Sequence, residues 1–250
     1  MKKKATFLSS CTGIIMFFSL WQLAALCVNR PILPSPFVVV PLFLQNITGE
    51  LGLHFLASSG RVLAAVILAT LFAAPLGLAL GQMPRLDRVI GPLIAIIYPI
   101  PKIIFLPVIY VLLGISDFSK ITLIAIIIFF QILVVVRDEA SGLKKELILS
   151  VKSLGAGRRA LFRYVYLPAS LPAVLTALRV SVGTAVAVLF IAEQSLTNYG
   201  LGYYIVIETY QVLLYPEMYT GIMGMGLLGV LLYFAIYSIE LKISKHMFVE

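Results

Sequence analysis

In this chain of 250 residues, hydrophobic side chains fill 61% of the positions and charged ones only 12%, about half the charged share of a soluble domain. That balance excludes an ordinary soluble enzyme. The net charge of +8 calls for no nucleic-acid partner once the basic residues are placed relative to a bilayer. Cys11 and Cys27 have no CxxC spacing and no histidine nearby, so metal or redox chemistry is not expected. His54 and His246 lie far apart and read as interfacial or loop residues.

A bilayer core of roughly 30 Å needs about 20 apolar residues per helix, and lipid offers exposed backbone no other partner. The first uncharged run, Ala5 to Asn29, follows Met1-Lys2-Lys3-Lys4. It is longer than the apolar part of a secretory signal, and Leu26 is too large to precede a lipoprotein cleavage site at Cys27. It reads as a retained first span, about Phe7 to Val28. The second span is expected from about Arg61 to Leu80. The third runs from about Val89 to Leu113 and is interrupted by Pro99, Pro101, Lys102 and Pro107. The fourth covers about Ile121 to Val136, the fifth Leu171 to Ala192 and the sixth Tyr219 to Ile239.

Basic loops stay cytoplasmic. An inside N-terminus puts Lys2, Lys3, Lys4, Arg85, Arg88, Arg137, Lys144, Lys145, Lys152, Arg158, Arg159, Arg163, Lys242 and Lys245 on one side. The stretch from Glu193 to Glu217, on the other side, has no basic residue. Both termini are therefore expected in the cytoplasm of a multi-pass inner-membrane protein, as a single transmembrane domain over residues 1–250.

The one sizeable polar stretch, 137–168, carries Leu147, Val151 and Leu154, then Leu161 and Val165, at the spacing of amphipathic helices. Gly155 and Gly157 break that pattern. The expectation is a short helix, a glycine turn and a second helix rising into the fifth span near Pro168 and Pro172. Such an element either lies on anionic headgroups or docks a cytoplasmic partner.

The order of residues favours docking. The run Leu149-Ser150-Val151, Lys152-Ser153-Leu154, Gly155-Ala156, then Val165-Tyr166-Leu167-Pro168 after nine residues, resembles the EAA-xxx-Gly signature of bacterial ABC importer permeases of the binding-protein-dependent type. Leu149 stands where that family has Glu, and Ser150 and Val151 where it has alanines. The resemblance extends over Arg61 to Leu241. Tyr98-Pro99-Ile100-Pro101-Lys102 with Phe105-Leu106-Pro107, Ala192-Glu193 before Gly200-Leu201-Gly202, and Glu240-Leu241 are similar to the nitrate, sulfonate and taurine branch. It implies an all-α polytopic protein of about six transmembrane helices with a cytoplasmic coupling helix, the type I importer permease fold. It also implies partners: two copies of an ATP-binding cassette subunit, an extracytoplasmic substrate-binding protein and a second permease chain. ATP and Mg would belong to the partner ATPase and no cofactor to this chain, which carries no GxxxxGK[ST] loop and is not expected to be an enzyme. Coupling to the ATPase would fall on Leu149, Ser150, Val151, Lys152, Ser153, Leu154, Gly155, Ala156, Leu167 and Pro168.

Charges inside spans cost roughly 2.5–3.5 kcal/mol each on insertion scales, so Lys102, Arg179 and Glu193 invite a role. One reading is an electropositive cavity or gate for an anionic substrate. The other is a structural ion pair or a side chain reaching an interface. With Tyr98, Pro99 and Pro101, these residues mark the expected pathway, because broken helix at membrane depth lines cavities or packs within protein. Gly224-Met225-Gly226-Leu227-Leu228-Gly229 matches GxGxxG but lies in an apolar span, where small residues serve helix packing. An ATP-independent secondary transporter or channel is the competing class; it predicts repeat-related broken helices, and no internal repeat is evident. A membrane-embedded enzyme would need paired ionisable residues at one depth. A small anion such as a sulfonate, taurine or nitrate is the expected substrate, and the binding protein sets most of the specificity.

Overall fold

The computed structural model describes residues 2–143, 145–194 and 196–244. Among these residues there is helix and no strand. The helices are α1 (Lys2–Val28), α2 (Pro36–Asn46), α3 (Glu50–Gln82), α4 (Pro84–Ile97), α5 (Leu106–Leu113), α6 (Asp117–Ser141), α7 (Lys145–Ser153), α8 (Arg158–Leu161), α9 (Leu167–Glu193), α10 (Leu201–Tyr203) and α11 (Tyr215–Ser244). A 3-10 turn, Lys102–Phe105, precedes α5, and π-helical stretches occupy Phe162–Tyr166 and Tyr204–Tyr210. The expected second, fourth, fifth and sixth spans each lie on a long helix, the third is divided between α4, the 3-10 turn and α5, and the first lies on α1, whose apolar part Thr12–Val28 is shorter than the other four. The chain divides into two compact units, 1–57 with 193–226, and 58–192 with 227–250.

In the second unit the core is a seam between α3 and α6. Ala65, Ala69, Ala73, Gly77 and Gly81 recur every four residues on α3, so its side of the seam carries only small residues. A Cβ on Gly77 would lie 2.9 Å from the Leu133 carbonyl oxygen, and one on Gly81 would lie 2.6 Å from the Cβ of Ala140. Opposite them Ile124, Ile128, Ile132 and Val136, again four apart, are fully buried on α6. Arg61 meets Asp117 at the head of α6 at 2.7 Å, and Gln82 at the tail of α3 donates to the Ala140 carbonyl at 2.8 Å. Head meets head and tail meets tail, so α3 and α6 run parallel.

That parallel arrangement settles the third span. Among the described residues, four helices are long and apolar enough to cross a membrane: 50–82, 117–141, 159–193 and 215–243. The pair Pro84–Ile97 and Lys102–Leu113 is bent by 82°. Two parallel crossings require a return between them, so the bent pair is a crossing rather than a re-entrant loop. α9 and α11 are antiparallel: Thr176 meets Glu240, while Val186 is the neighbour of Gly229.

In the first unit, Trp21 of α1 donates from Nε1 to the Pro34 carbonyl at 3.0 Å and stacks on Tyr219 at 5.8 Å. Ser35 caps α2 by accepting the Phe37 N–H, and Pro36 occupies the first turn, where a missing N–H costs nothing. α3 begins eleven residues before the expected second span, at Glu50 rather than Arg61. Its polar residues explain the early start. His54, Ser58 and Arg61 recur at helical spacing and are all buried, His54 against Gly200 and Glu208 and Arg61 against Asp117, so these polar residues continue the helix instead of ending it. His54 is thus a buried helix residue and not a loop or interfacial one. His246 lies outside the described residues.

Candidate coupling and translocation sites

The polar stretch forms the helix, turn and helix that its glycines predict. α7 ends at Ser153, and Gly155 adopts φ +81 while its N–H returns to the Lys152 carbonyl at 2.9 Å. A left-handed residue at a helix end favours glycine, which has no Cβ to oppose it. Nothing lies within 4 Å of a Cβ built on Gly155 or on Gly157, so within this chain the need at 155 is conformational and not steric. On the second helix Leu161 and Val165 are buried. Leu154 is 85% exposed and Leu149 61% exposed, while Ser150, Lys152 and Ser153 are also exposed. Val151 and Ala156 are half-buried. Apolar leucines facing outward beside a lysine make a surface suited to a partner.

Leu167 and Pro168, both exposed, follow the first π-helical stretch. There the Leu167 N–H reaches back five residues to the Phe162 carbonyl. Pro168 has no N–H to give the Tyr164 carbonyl, and the wider turn absorbs that loss without ending the helix. The fifth span therefore does not begin at Pro168 or Pro172; an unbroken rod runs from Arg159 to Glu193.

At the bend of the third span Tyr98, Pro99 and Pro101 are exposed and Lys102 is buried. The Lys102 ammonium donates to the carbonyls of Ile97, Tyr98 and Ile100 at 3.2, 2.8 and 3.1 Å. It also sits 4.7 Å from the centre of the Phe130 ring.

Arg179 has a partner that the sequence did not single out for it. Its Nε lies 3.0 Å from Glu240 Oε2, a contact that is ionic rather than aligned as a hydrogen bond. Nη1 donates to the Tyr233 hydroxyl at 3.0 Å, the guanidinium lies over the Tyr233 and Tyr237 rings, and Thr176 donates to Glu240 at 2.8 Å. Arg61 pairs with Asp117, and Arg137 pairs in a fork with Asp87. These three arginines carry no surplus positive charge, which removes much of the electrostatic case for an anionic substrate.

Glu193 is fully buried and accepts the Gly202 N–H at 3.1 Å, in α10. Beside it, His54 Nδ1 accepts the Gly200 N–H at 3.0 Å, which leaves Nε2 to donate to Glu208 at 3.2 Å. Tyr199, Tyr203 and Tyr204 enclose the imidazole, with ring centres 5.3–6.2 Å away. Gly200, at φ 137, carries a backbone that other residues rarely adopt. Burial pushes the Glu208 carboxyl above the usual carboxylate range; His54 opposes that rise and Glu50 adds to it. Glu208 and Glu50 also line a cavity of about 420 Å³ with Glu217, Tyr204 and Asn46. The spacing of Glu50, His54, Ser58 and Arg61 was the one signal in the sequence for this cluster. Gly224 packs on Leu201, as a small residue should, whereas Gly226 faces open space within this chain.

The family described as the binding-protein-dependent transport system inner membrane component matches residues 67–248. The taurine transport system permease protein TauC of Escherichia coli (strain K12) is 32% identical over 204 residues, which is 78% of this chain and 74% of that one. The formylaminopyrimidine transport permease protein ThiX of Halalkalibacterium halodurans is 27% identical over 96% of both chains. The putative aliphatic sulfonates transport permease protein SsuC of Bacillus subtilis (strain 168) is 26% identical over 87% of this chain and 79% of its own. A chain of the inward-facing MetNI methionine ABC transporter superposes with a TM-score of 0.64 at 20% identity, covering 78% of this chain and 96% of that one. With its parallel α3–α6 seam, bent third span and polar element broken by a glycine turn, this chain has the all-α type I importer permease fold and belongs to the binding-protein-dependent transport system inner membrane component family.

Proposed function

We propose that the chain is the pathway-forming subunit of an ATP-driven importer for a small sulfonate such as taurine, working as a homodimer with two ATP-binding subunits and an extracytoplasmic binding protein. The observation that carries the coupling assignment is the turn at Gly155, with Leu149 exposed on α7 and Leu154 exposed just after it. A partner groove would cover those leucines and engage Lys152, with Ser150, Val151, Ser153 and Ala156 at its edges. Leu167 and Pro168 would join the element to the span. ATP and Mg would be held by the partner. The basic residues at the shared end of α3, α6 and α11 support a cytoplasmic side there, with both termini on it. The pathway would follow the bend at Tyr98, Pro99, Pro101 and Lys102, with Arg179 and Glu193 bracing the helices around it. The sulfonate choice rests on the names of two relatives, while the ThiX relative supports a pyrimidine as the second reading.

The test is a Gly155→Val variant in the assembled transporter. ATP hydrolysis should persist while ATP-dependent uptake of labelled taurine falls at least tenfold. Unchanged uptake would remove the coupling assignment. Uptake of a labelled aminopyrimidine but not of taurine by the parent chain would move the substrate to the second reading.

A further inference from the structure

Lysine has three N–H donors and no more. In Lys102 each has an acceptor: the carbonyls of Ile97, Tyr98 and Ile100, at 2.8–3.2 Å. These carbonyls lie where the chain abandons its helix. Pro101 has no N–H to return to Ile97, and its backbone (φ −66, ψ 98) turns the chain out of the helical path. The 82° bend follows directly. Carbonyls at a helix end carry partial negative charge, and the face of an aromatic ring does too. The ammonium meets both, with Phe130 of α6 at 4.7 Å. Its side chain reaches back onto its own helix end, so it closes the gap that the prolines open.

We infer that Lys102 is a positioning residue for transport: its ammonium caps the end of α4 and holds the bend of the third span, and it does not ligate the transported solute. The inference rests on the pathway reading above only for its functional consequence. An anion entering the bend meets no uncommitted N–H on this side chain, and it could bind there only by displacing a carbonyl. The lysine thus fixes the shape of the pathway wall and leaves the substrate contact to other groups.

Two measurements test this. Spin labels at Leu93→Cys and Val108→Cys, in a Cys11→Ser, Cys27→Ser background, report the bend directly. A straight helix would separate those positions by about 22 Å, and the bend shortens the span. With each doubly labelled chain diluted into an excess of unlabelled chain, the parent should give one narrow intra-chain distance, and Lys102→Met a broader distribution shifted to longer values. In proteoliposomes containing the complete transporter, Lys102→Met should lower the maximal rate of labelled taurine uptake at least tenfold and change the half-saturating concentration less than twofold. A narrow, unshifted distance in Lys102→Met overturns the inference, as does a raised half-saturating concentration with an intact maximal rate. If the methionine variant fails to insert, Lys102→Gln, which keeps two donors, carries the same test with an intermediate broadening expected. A parent chain that does not transport taurine contradicts the substrate reading alone, because the distance readout does not depend on it.

Discussion

Arg179 shows how a charge is kept within a span. Its guanidinium faces Glu240, the Tyr233 hydroxyl and two aromatic rings, so α9 and α11 are joined by one polar knot. Glu240→Gln should therefore lower the stability of the purified chain by about 1–3 kcal/mol, seen as an earlier thermal unfolding midpoint. The exchange Arg179→Glu with Glu240→Arg should recover part of that loss. The arginine itself was legible in the sequence; its partner was not, because 61 residues separate the two and only the antiparallel packing of α9 on α11 joins them. Glu208 supplies a pH test. Its folded carboxyl holds its proton more tightly than the unfolded one, so its contribution is present below the ordinary value of 4.5 and is lost as pH rises through the raised one. Relative to Glu208→Gln, the parent should lose thermal stability as pH climbs above 4.5. A flat difference would contradict the burial argument.

At the scale of elements, apolar run length and glycine placement were enough to locate the spans and the turn at Gly155. Three features escaped that reading for the same reason: periodicity reports which residues share a face, not how the backbone distorts along it. The π-helical turn before Pro168 let the helix continue through two prolines. The π-helical stretch Tyr204–Tyr210 follows from Thr209, whose hydroxyl donates to the Tyr204 and Ile205 carbonyls and occupies acceptors that helical N–H groups would use. The polar stripe from His54 to Arg61 hid the first turns of α3. The four-residue repeat Ala65 to Gly81 was present in the sequence, and its meaning came with α6. Gly81→Ala places a methyl 2.6 Å from Ala140 and the Arg137 carbonyl oxygen, so it should destabilise the chain by about 1–3 kcal/mol. Gly226→Ala meets nothing within 4 Å inside α11 and should hold or slightly raise the isolated chain's unfolding midpoint, because alanine favours helix over glycine.

Within the second unit, the seam with its small residues, the arginine–aspartate pairs at its ends and the Lys102 cap frame one bent span. The exposed Leu149 of α7 and Leu154 of the turn after it would face a cytoplasmic partner in the proposed orientation. In the proposed assembly a motor that engages α7 would act on α8 and α9, which follow the Gly155 turn as one rod ending at Glu193. The central claim is that this frame works only when an ATP-binding subunit drives it. The most direct measurement is to purify the tagged chain from its native membrane in mild detergent, identify the proteins that accompany it and assay ATP hydrolysis. The account predicts a stoichiometric ATP-binding subunit with hydrolysis that the Gly155→Val variant retains. A chain that purifies alone, stable and without ATPase activity in several detergents, would contradict it.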